Sequence, residues 1–329
     1  MSVKWDTPDY RDSSGLYIPI SVESLRTGAA DDFDVYLRTG SDYFLIKPKG
    51  SSISDVNLNK YAERTPYLYI RTTDQDPFFK RVDKYIDDVI TSDKVPLRQK
   101  AALLSDKAVD IVDKIFADPS HPEHLKAAHR VTQNFLSFVA QDRHAFLHLV
   151  DLSINDHYTY AHSVGVAAYC LATALAAGYQ GEQVVNIGVA GLLHDIGKSQ
   201  IDPAIINKKG PLDEREWGEM KKHPQLGGEL LRAHKNIPDI VIVCTESHHE
   251  NNLGTGYPRG LIASKLDPMV GIVSISDTFS ALTTKRSYSH PRDSLSALKL
   301  MKENIKAKFD QELFMKFVKL FLAEEKKAG

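Results

Sequence analysis

The sequence predicts a mostly helical protein in which a small α+β domain precedes an all-helical bundle. β-prone apolar clusters separated by turn-forming residues come early, within about the first ninety of the 329 residues. From about Val95 onward, apolar residues recur at helical spacing instead. We therefore predict a small domain over residues 1–92, connecting helices over 93–145 and the helical bundle over 146–329.

Four β-prone clusters define the small domain, at residues 16–20, 33–37, 43–46 and 67–70. Turn-forming residues 39–42 separate the second cluster from the third, which predicts a hairpin. Short helices are expected over about 54–64 and 77–90. No catalytic constellation occurs in this region, so we expect the domain to regulate or recruit rather than catalyse.

Two connecting helices are expected next. Pro96 is well placed at the start of the first, and the run 118–120 ends it. The second covers about 122–141. Both should join the small domain to the bundle.

In the bundle, the apolar run 184–194 predicts a buried helix that Gly197 ends in a left-handed cap. Asp213 and Glu216 match a capping box, which opens a helix expected to reach His223. The first helix therefore ends at His194, and the second is expected to end at His223.

Pro238 starts a further helix that delivers His248 and His249 at its end. The glycine-containing run 254–258 predicts a tight loop, and a buried helix after it carries Asp277. Histidines and aspartates therefore recur where helices begin, end or lie buried.

Composition excludes several classes of function. Apolar residues make up 42% and charged residues 26%, as in ordinary globular proteins. The 41 basic and 43 acidic residues nearly balance, which argues against DNA or RNA binding and against an anionic membrane surface.

The first residues lack an apolar signal core, and the run 164–178 is too short to span a bilayer. With Cys170 and Cys244 in apolar runs, expected to be free thiols, we predict a cytoplasmic protein without membrane insertion.

Seven side chains form the most informative pattern: His162, His194, Asp195, His223, His248, His249 and Asp277. Imidazole and carboxylate groups are ligands for zinc, iron and manganese. Seven such groups exceed the need of one tetrahedral ion, and a carboxylate can bridge two, so the pattern favours a two-metal site. A single helical histidine is more often a packing residue, and the eight other histidines receive that interpretation. Burying an unpaired aspartate is costly, so for the seven side chains together metal binding is the favoured interpretation.

Over about residues 158–317 the sequence resembles an HD-GYP domain, a subfamily of the HD metal-dependent phosphohydrolases. The matching strings, in the order and spacing of the family, are 160–163, 193–198, His223-Pro224 with Gly227, 248–250, 254–258 and 276–283. The resemblance implies a helical fold with two or sometimes three metal ions, typically iron or manganese. The usual substrate of the family is cyclic di-GMP.

The resemblance also implies roles for individual residues. Asp195 would bridge the two ions; one ion would be held by His162, His194 and Asp277, and the other by His223, His248 and His249. Lys198 would lie beside the attacking water and the scissile phosphate, so Asp195 and Lys198 are the predicted catalytic pair. The predicted substrate contacts are Lys198, Gly256, Tyr257, Pro258 and Arg286. Metal ions can supply an activated water and offset phosphate charge, so the chemistry agrees with these residues.

The sequence departs from the family pattern at a few positions. Tyr158 stands where some members carry a Glu that supports a third metal, which favours two ions here. Leu253, Ser280 and Ser289 replace polar or charged family residues. We therefore expect the metal ligands to be intact and substrate binding to be weaker than in a standard member.

The sequence thus predicts a phosphodiesterase that converts cyclic di-GMP to linear pGpG, with a slower step to GMP left open. Two alternatives stay open. One is hydrolysis of another cyclic dinucleotide. The other is a degenerate signalling module that binds metal or nucleotide and acts through a protein partner. A homodimer is also compatible with the sequence.

Overall fold

A four-stranded antiparallel sheet lies at the N-terminal end of the protein. The computed structural model describes residues 15–27, 32–141, 143–155, 160–208, 210–284 and 292–322. The strands are β1 (Tyr17–Ser21), β2 (Val35–Thr39), β3 (Asp42–Lys47) and β4 (Tyr67–Arg71), in the order β1-β4-β2-β3. They coincide with the four predicted clusters, and β2 and β3 form the predicted hairpin.

The short helices of the small domain differ in detail from the prediction. They are α1 (Val22–Leu25), α2 (Leu58–Ala62), α3 (Gln75–Val82) and α4 (Ile86–Thr91). The segment predicted as one helix over 54–64 begins with a separate 3-10 turn, because Ser52 and Asn57 each cap their own start. The helix predicted over 77–90 is interrupted between α3 and α4.

Buried polar contacts hold helix α5 (Leu97–Ala117) against the small domain. The backbone N–H of Ser21 donates to Asp106 Oδ2 at 3.0 Å, and Gln75 Nε2 donates to Asp110 Oδ1 at 2.9 Å. Burial raises the pKa of Asp110. One apolar core runs from the sheet through α5 into the bundle. The domain boundaries near residues 92 and 145 remain predictions.

The helices that follow α5 in the described part of the chain are connected mostly by short loops. They are α6 (Pro122–Gln141), α7 (Arg143–Asn155), α8 (Ala161–Ala177), α9 (Glu182–Leu193), α10 (Pro203–Ile206), α11 (Glu214–Met220), α12 (His223–Arg232), α13 (Asp239–Ser247), α14 (Pro268–Thr283), α15 (Ser294–Leu300) and α16 (Gln311–Leu322). The predicted fold class, a helical bundle behind a small α+β domain, is confirmed. Among the described helices, none combines the length and apolar character needed to cross a membrane. Cys170 and Cys244 are free and buried, as predicted.

Helices α8 and α9 form a hairpin that sets the position of the site. A short connection reverses the chain between them, so the start of α8 lies beside the end of α9. His162 at the start and His194 at the end therefore meet, with ring centroids 5.3 Å apart. The hairpin brings together two histidines that are separated by 31 residues.

Two local predictions around the site are wrong. The helix that begins at the Asp213–Glu216 capping box ends at Met220, and His223 begins the next helix, α12. Pro224 explains the break, because proline suits the first turn of a helix and interrupts its interior.

Gly197 does not end α9 in a left-handed conformation. It lies in a 3-10 helix, Ile196–Gln200, and has no positive φ. A Cβ atom there would overlap the carbonyl oxygen of His223 and lie 2.5 Å from the backbone nitrogen of Gly227. The position therefore needs glycine because two backbone segments meet, not because of its own φ angle.

Candidate metal centre and active site

The first group of candidate ligands comes from three helices. His162 lies in the first turn of α8, His194 follows α9 directly, and Asp277 lies within α14. One ligand atom from each lies within 4.8 Å of the others. Asp277 Oδ1 is 3.2 Å from His162 Nε2 and 3.7 Å from His194 Nε2. These are the three residues that the family resemblance assigned to one ion.

The second group combines Asp195 with His223, His248 and His249, again within 4.8 Å. His223 begins α12, and the histidine pair follows α13. The Nε2 atoms of His223 and His248 are 3.2 Å apart. These three histidines are the ones that the family resemblance assigned to the other ion.

Asp195 connects the two groups through its two carboxylate oxygens. Its Oδ2 lies 3.3 Å from His194 Nε2 in the first group. Its Oδ1 lies 3.3 Å from His223 Nε2 and 3.9 Å from His248 Nε2 in the second. One oxygen therefore faces each group, which is the arrangement that a bridging carboxylate requires.

Backbone carbonyls orient most of the histidine rings. In three cases Nδ1 lies 2.8 Å from the carbonyl oxygen of the residue three positions earlier: His194 with Gly191, His223 with Met220 and His248 with Thr245. A carbonyl only accepts, so each Nδ1 carries the proton and each Nε2 is turned into the site. His162 Nδ1 instead lies 2.9 Å from the Ser280 hydroxyl. This pattern is typical of metal-ligating histidines.

The residues fit a bound cation. Because Nδ1 of His223 and His248 is protonated, their neutral rings have no proton on Nε2 to share across 3.2 Å. For the same reason neither ring can donate to Asp195 Oδ1, which is buried without a hydrogen-bond partner among the described residues. Lone pairs that converge in this way are stabilised by a positive ion placed between them.

Protonation states favour the same conclusion. Burial lowers the pKa of His223 to about 3 and that of His249 to about 4. Burial alone would raise the pKa of Asp195, but His194 and Lys198 outweigh it and hold that pKa well below its usual range. Burial alone would lower the pKa of His194, but Asp195 and Asp277 raise it, so these carboxylates attract positive charge. A bound metal would compete with a proton for His194 Nε2.

The lowered histidine pKa values predict that the metal-free protein is acid-labile. Below about pH 6.5 the unfolded chain takes up protons that His223, His248 and His249 exclude in the folded state. The contribution of these three histidines to the free energy of unfolding is thus complete above that pH and is lost progressively as the pH falls toward 4. His194 opposes the trend, but the three lowered histidines outnumber it. We expect a lower melting temperature of metal-free protein at pH 5 than at pH 7.5.

Two variants make this measurement specific. His249→Gln removes one lowered group and should flatten the dependence of melting temperature on pH. His121→Gln, at an exposed position outside the centre, should leave the slope as it is. Equal slopes in wild type and His249→Gln would show that the histidines of the centre do not cause the acid lability.

Lys198 lies at the open edge of the centre. It belongs to the 3-10 helix after Asp195, and its Nζ is 2.5 Å from Asp195 Oδ2. Its side chain is 29% exposed, whereas that of Asp195 is 8% exposed. The ammonium group is therefore placed between the metal ligands and the solvent from which a substrate would arrive.

The glycine-containing loop covers one side of the centre. A Cβ atom on Gly256 would lie 2.5 Å from Glu250 Cα, so only glycine lets the loop approach this closely. The following bond, Tyr257–Pro258, is cis. The Tyr257 ring lies 4.6 Å from the His249 ring, while Pro258 is exposed. Tyr257 thus borders the predicted ligands, and Arg286, like Tyr158 and Ser289, lies outside the described residues.

Glu250 holds this loop, a role that sequence reasoning missed. Its buried carboxylate accepts hydrogen bonds from the backbone N–H groups of Arg259 at 2.7 Å and Leu261 at 2.8 Å. The only available signal was an acidic residue directly after the histidine pair, and its partners lie nine and eleven residues away.

Comparisons with known proteins place the chain in a family. The HD domain model matches residues 121–313. Cyclic di-GMP phosphodiesterase PA4108 of Pseudomonas aeruginosa is 34% identical over 221 residues, which cover 67% of this chain and 53% of that protein. The 3'3'-cGAMP-specific phosphodiesterase 3 of Vibrio cholerae is 30% identical over 63% of this chain and 47% of that protein. The chain spans about half the length of these curated relatives.

A solved structure extends the likeness in fold. Bd1817, an HDG"Y"P protein from Bdellovibrio bacteriovorus, superposes with a TM-score of 0.71 at 20% identity, covering 92% of this chain and 99% of that one. The chain therefore belongs to the HD domain family, whose members are metal-dependent. The predicted membership of the HD family is thus confirmed.

Proposed function

We propose that the protein is a metal-dependent phosphodiesterase that hydrolyses cyclic di-GMP to linear pGpG. The observation that carries the proposal is Asp195, with one carboxylate oxygen toward each group of histidines and Lys198 beside it. The relative named as a cyclic di-GMP phosphodiesterase supports the choice of substrate. Further conversion of pGpG to GMP would use the same residues.

The proposed ligands are His162, His194 and Asp277 for one ion, and His223, His248 and His249 for the other, with Asp195 shared. Mixed imidazole and carboxylate sets suit iron and manganese, which we propose as the resident metals. When bound, two such ions supply an activated water and offset the negative charge of the phosphate.

The residues of the chain provide positioning and charge for this reaction. Asp195 and the carbonyl-bonded histidines fix the geometry of the centre before substrate binds. Lys198 can turn from Asp195 toward a phosphate oxygen, because its side chain is partly exposed. Hydrolysis adds water across one P–O3' bond and leaves a 5'-phosphate and a free 3'-hydroxyl, which is linear pGpG.

Product chromatography tests the proposal. Protein loaded anaerobically with iron, and separately with manganese, is incubated with cyclic di-GMP and with 3'3'-cGAMP. We expect pGpG from cyclic di-GMP. Cleavage of 3'3'-cGAMP alone would keep the chemistry and transfer the substrate assignment to the second candidate, which the Vibrio cholerae relative favours. If fully loaded protein cleaves neither, the signalling-module alternative replaces the enzyme.

The Lys198→Ala variant tests whether Lys198 contributes to turnover without contributing to metal binding. We expect bound metal to remain near the wild-type level, because the ammonium group is not a metal ligand, and turnover to fall about 10- to 100-fold. Metal content is measured by elemental analysis and turnover by chromatography. Lys235→Ala, at an exposed position, is the matched control. Wild-type turnover in Lys198→Ala would make this lysine a partner of Asp195 only.

A further inference from the structure

Helix α11 is held at a fixed distance from the metal centre. The capping box of Asp213 and Glu216 fixes its first turn, and Lys208 Nζ binds Glu216 Oε2 at 2.5 Å. At its other end, the carbonyl of Met220 accepts the hydrogen bond from His223 Nδ1. A side chain on α11 therefore keeps a defined position relative to a proposed metal ligand.

Trp217 is the aromatic residue on this helix, and it is 44% exposed. Its ring centroid lies 6.3 Å from that of Tyr257, with an angle of 72° between the ring planes. The Tyr257 ring in turn lies 4.6 Å from the ring of His249. Trp217 and Tyr257 thus form an aromatic corner, a pair of adjacent rings of which Trp217 is exposed to solvent and Tyr257 contacts the metal centre.

Lys221 places a positive charge at this corner. Its Nζ lies 5.6 Å from the Trp217 ring centroid and 5.9 Å from that of Tyr257. Within the described part of the chain it forms no ion pair, whereas the next residue, Lys222, binds Glu219 at 2.7 Å. The Lys221 charge is therefore available to an anion that lies against the two rings.

We propose that Trp217, Tyr257 and Lys221 form a nucleotide shelf, which binds the part of the substrate next to the scissile phosphate. A nucleobase stacks on the Trp217 ring with its edge toward Tyr257, and Lys221 faces the phosphate that is not cleaved. Exposed aromatic rings next to a cationic side chain are a recurring means of binding nucleotides. This inference rests on the proposed function, since it assumes that one phosphate of a cyclic dinucleotide lies at the metal centre.

Enzyme kinetics of the metal-loaded protein test whether Trp217, Tyr257 and Lys221 bind substrate. Trp217→Ala should raise the KM for cyclic di-GMP roughly 5- to 100-fold with kcat nearly unchanged, and Trp217→Phe should recover most of the loss. Lys221→Ala should raise KM about 10-fold. Lys222→Ala is the matched control and should keep the wild-type KM, because its charge is paired away from the rings. A KM for Trp217→Ala within twofold of wild type would overturn the proposal.

A binding measurement makes the test independent of turnover. The chain has two tryptophans, so Trp5→Phe leaves Trp217 as the only tryptophan fluorophore. Titration with pGpG should quench fluorescence in this variant and not in Trp217→Phe. If wild type cleaves no cyclic dinucleotide but the Trp217-dependent quench occurs, the shelf is supported and the proposed function fails. If cleavage occurs without that quench, the proposed function stands and the shelf is wrong.

Discussion

The Asp195→Ala variant is expected to lose most of its bound metal and, with it, detectable phosphodiesterase turnover. Each oxygen of this carboxylate faces a different group of histidines, so its removal takes one ligand from both proposed sites. It also removes the carboxylate beside Lys198, which then stands with its positive charge near the centre. Both changes disfavour cation binding. Elemental analysis of purified protein and product chromatography measure the two effects.

Controls separate metal loss from unfolding. Circular dichroism and melting curves of the metal-free proteins establish that Asp195→Ala folds. Asp239→Ala removes an exposed carboxylate at the start of α13 and should keep wild-type metal content and turnover. Full metal occupancy in folded Asp195→Ala would refute the bridging role and show that the six remaining ligands form two independent sites.

Much of this centre could be predicted because its chemistry is concentrated in few residue types. Burying an aspartate is costly without a cation or several hydrogen-bond donors, so Asp195 and Asp277, among five histidines, indicated a metal site before any geometry was known. The strands of the small domain could also be predicted from the sequence, because β-prone clusters separated by turn residues are local signals. In these cases the deciding interaction lies within a few residues, or the residue type itself restricts the chemistry.

Other features depend on contacts between distant segments. Nothing near Gly197 in sequence shows that it meets the backbone of His223 and Gly227. Likewise, Trp217 and Tyr257 are forty residues apart, and only the folded chain places their rings together. The break before His223 could have been predicted, because Pro224 follows it directly. Sequence reasoning followed the helical pattern there and gave the proline too little weight.

The contact at Gly197 leads to a prediction about stability and metal binding together. In Gly197→Ala the new methyl group would overlap the His223 carbonyl oxygen and press on the Gly227 nitrogen, which both belong to α12. Backbone atoms cannot move aside as a flexible side chain can, so α12 must shift away from the 3-10 helix. We expect a loss of about 3 kcal/mol or more in the free energy of unfolding.

The same shift should weaken metal binding, because His223 begins α12 and Asp195 directly precedes the 3-10 helix, and their ligand atoms are only 3.3 Å apart. Urea unfolding and elemental analysis measure the two effects. Gly218→Ala is the matched control: that glycine lies within α11 in open space, so alanine should raise stability by about 0.5–1 kcal/mol and leave metal content unchanged. If Gly197→Ala instead unfolds like wild type and keeps its metal, α12 can move without disturbing the centre. The contact between Gly197 and the backbone of α12 would then not determine the position of His223 relative to Asp195.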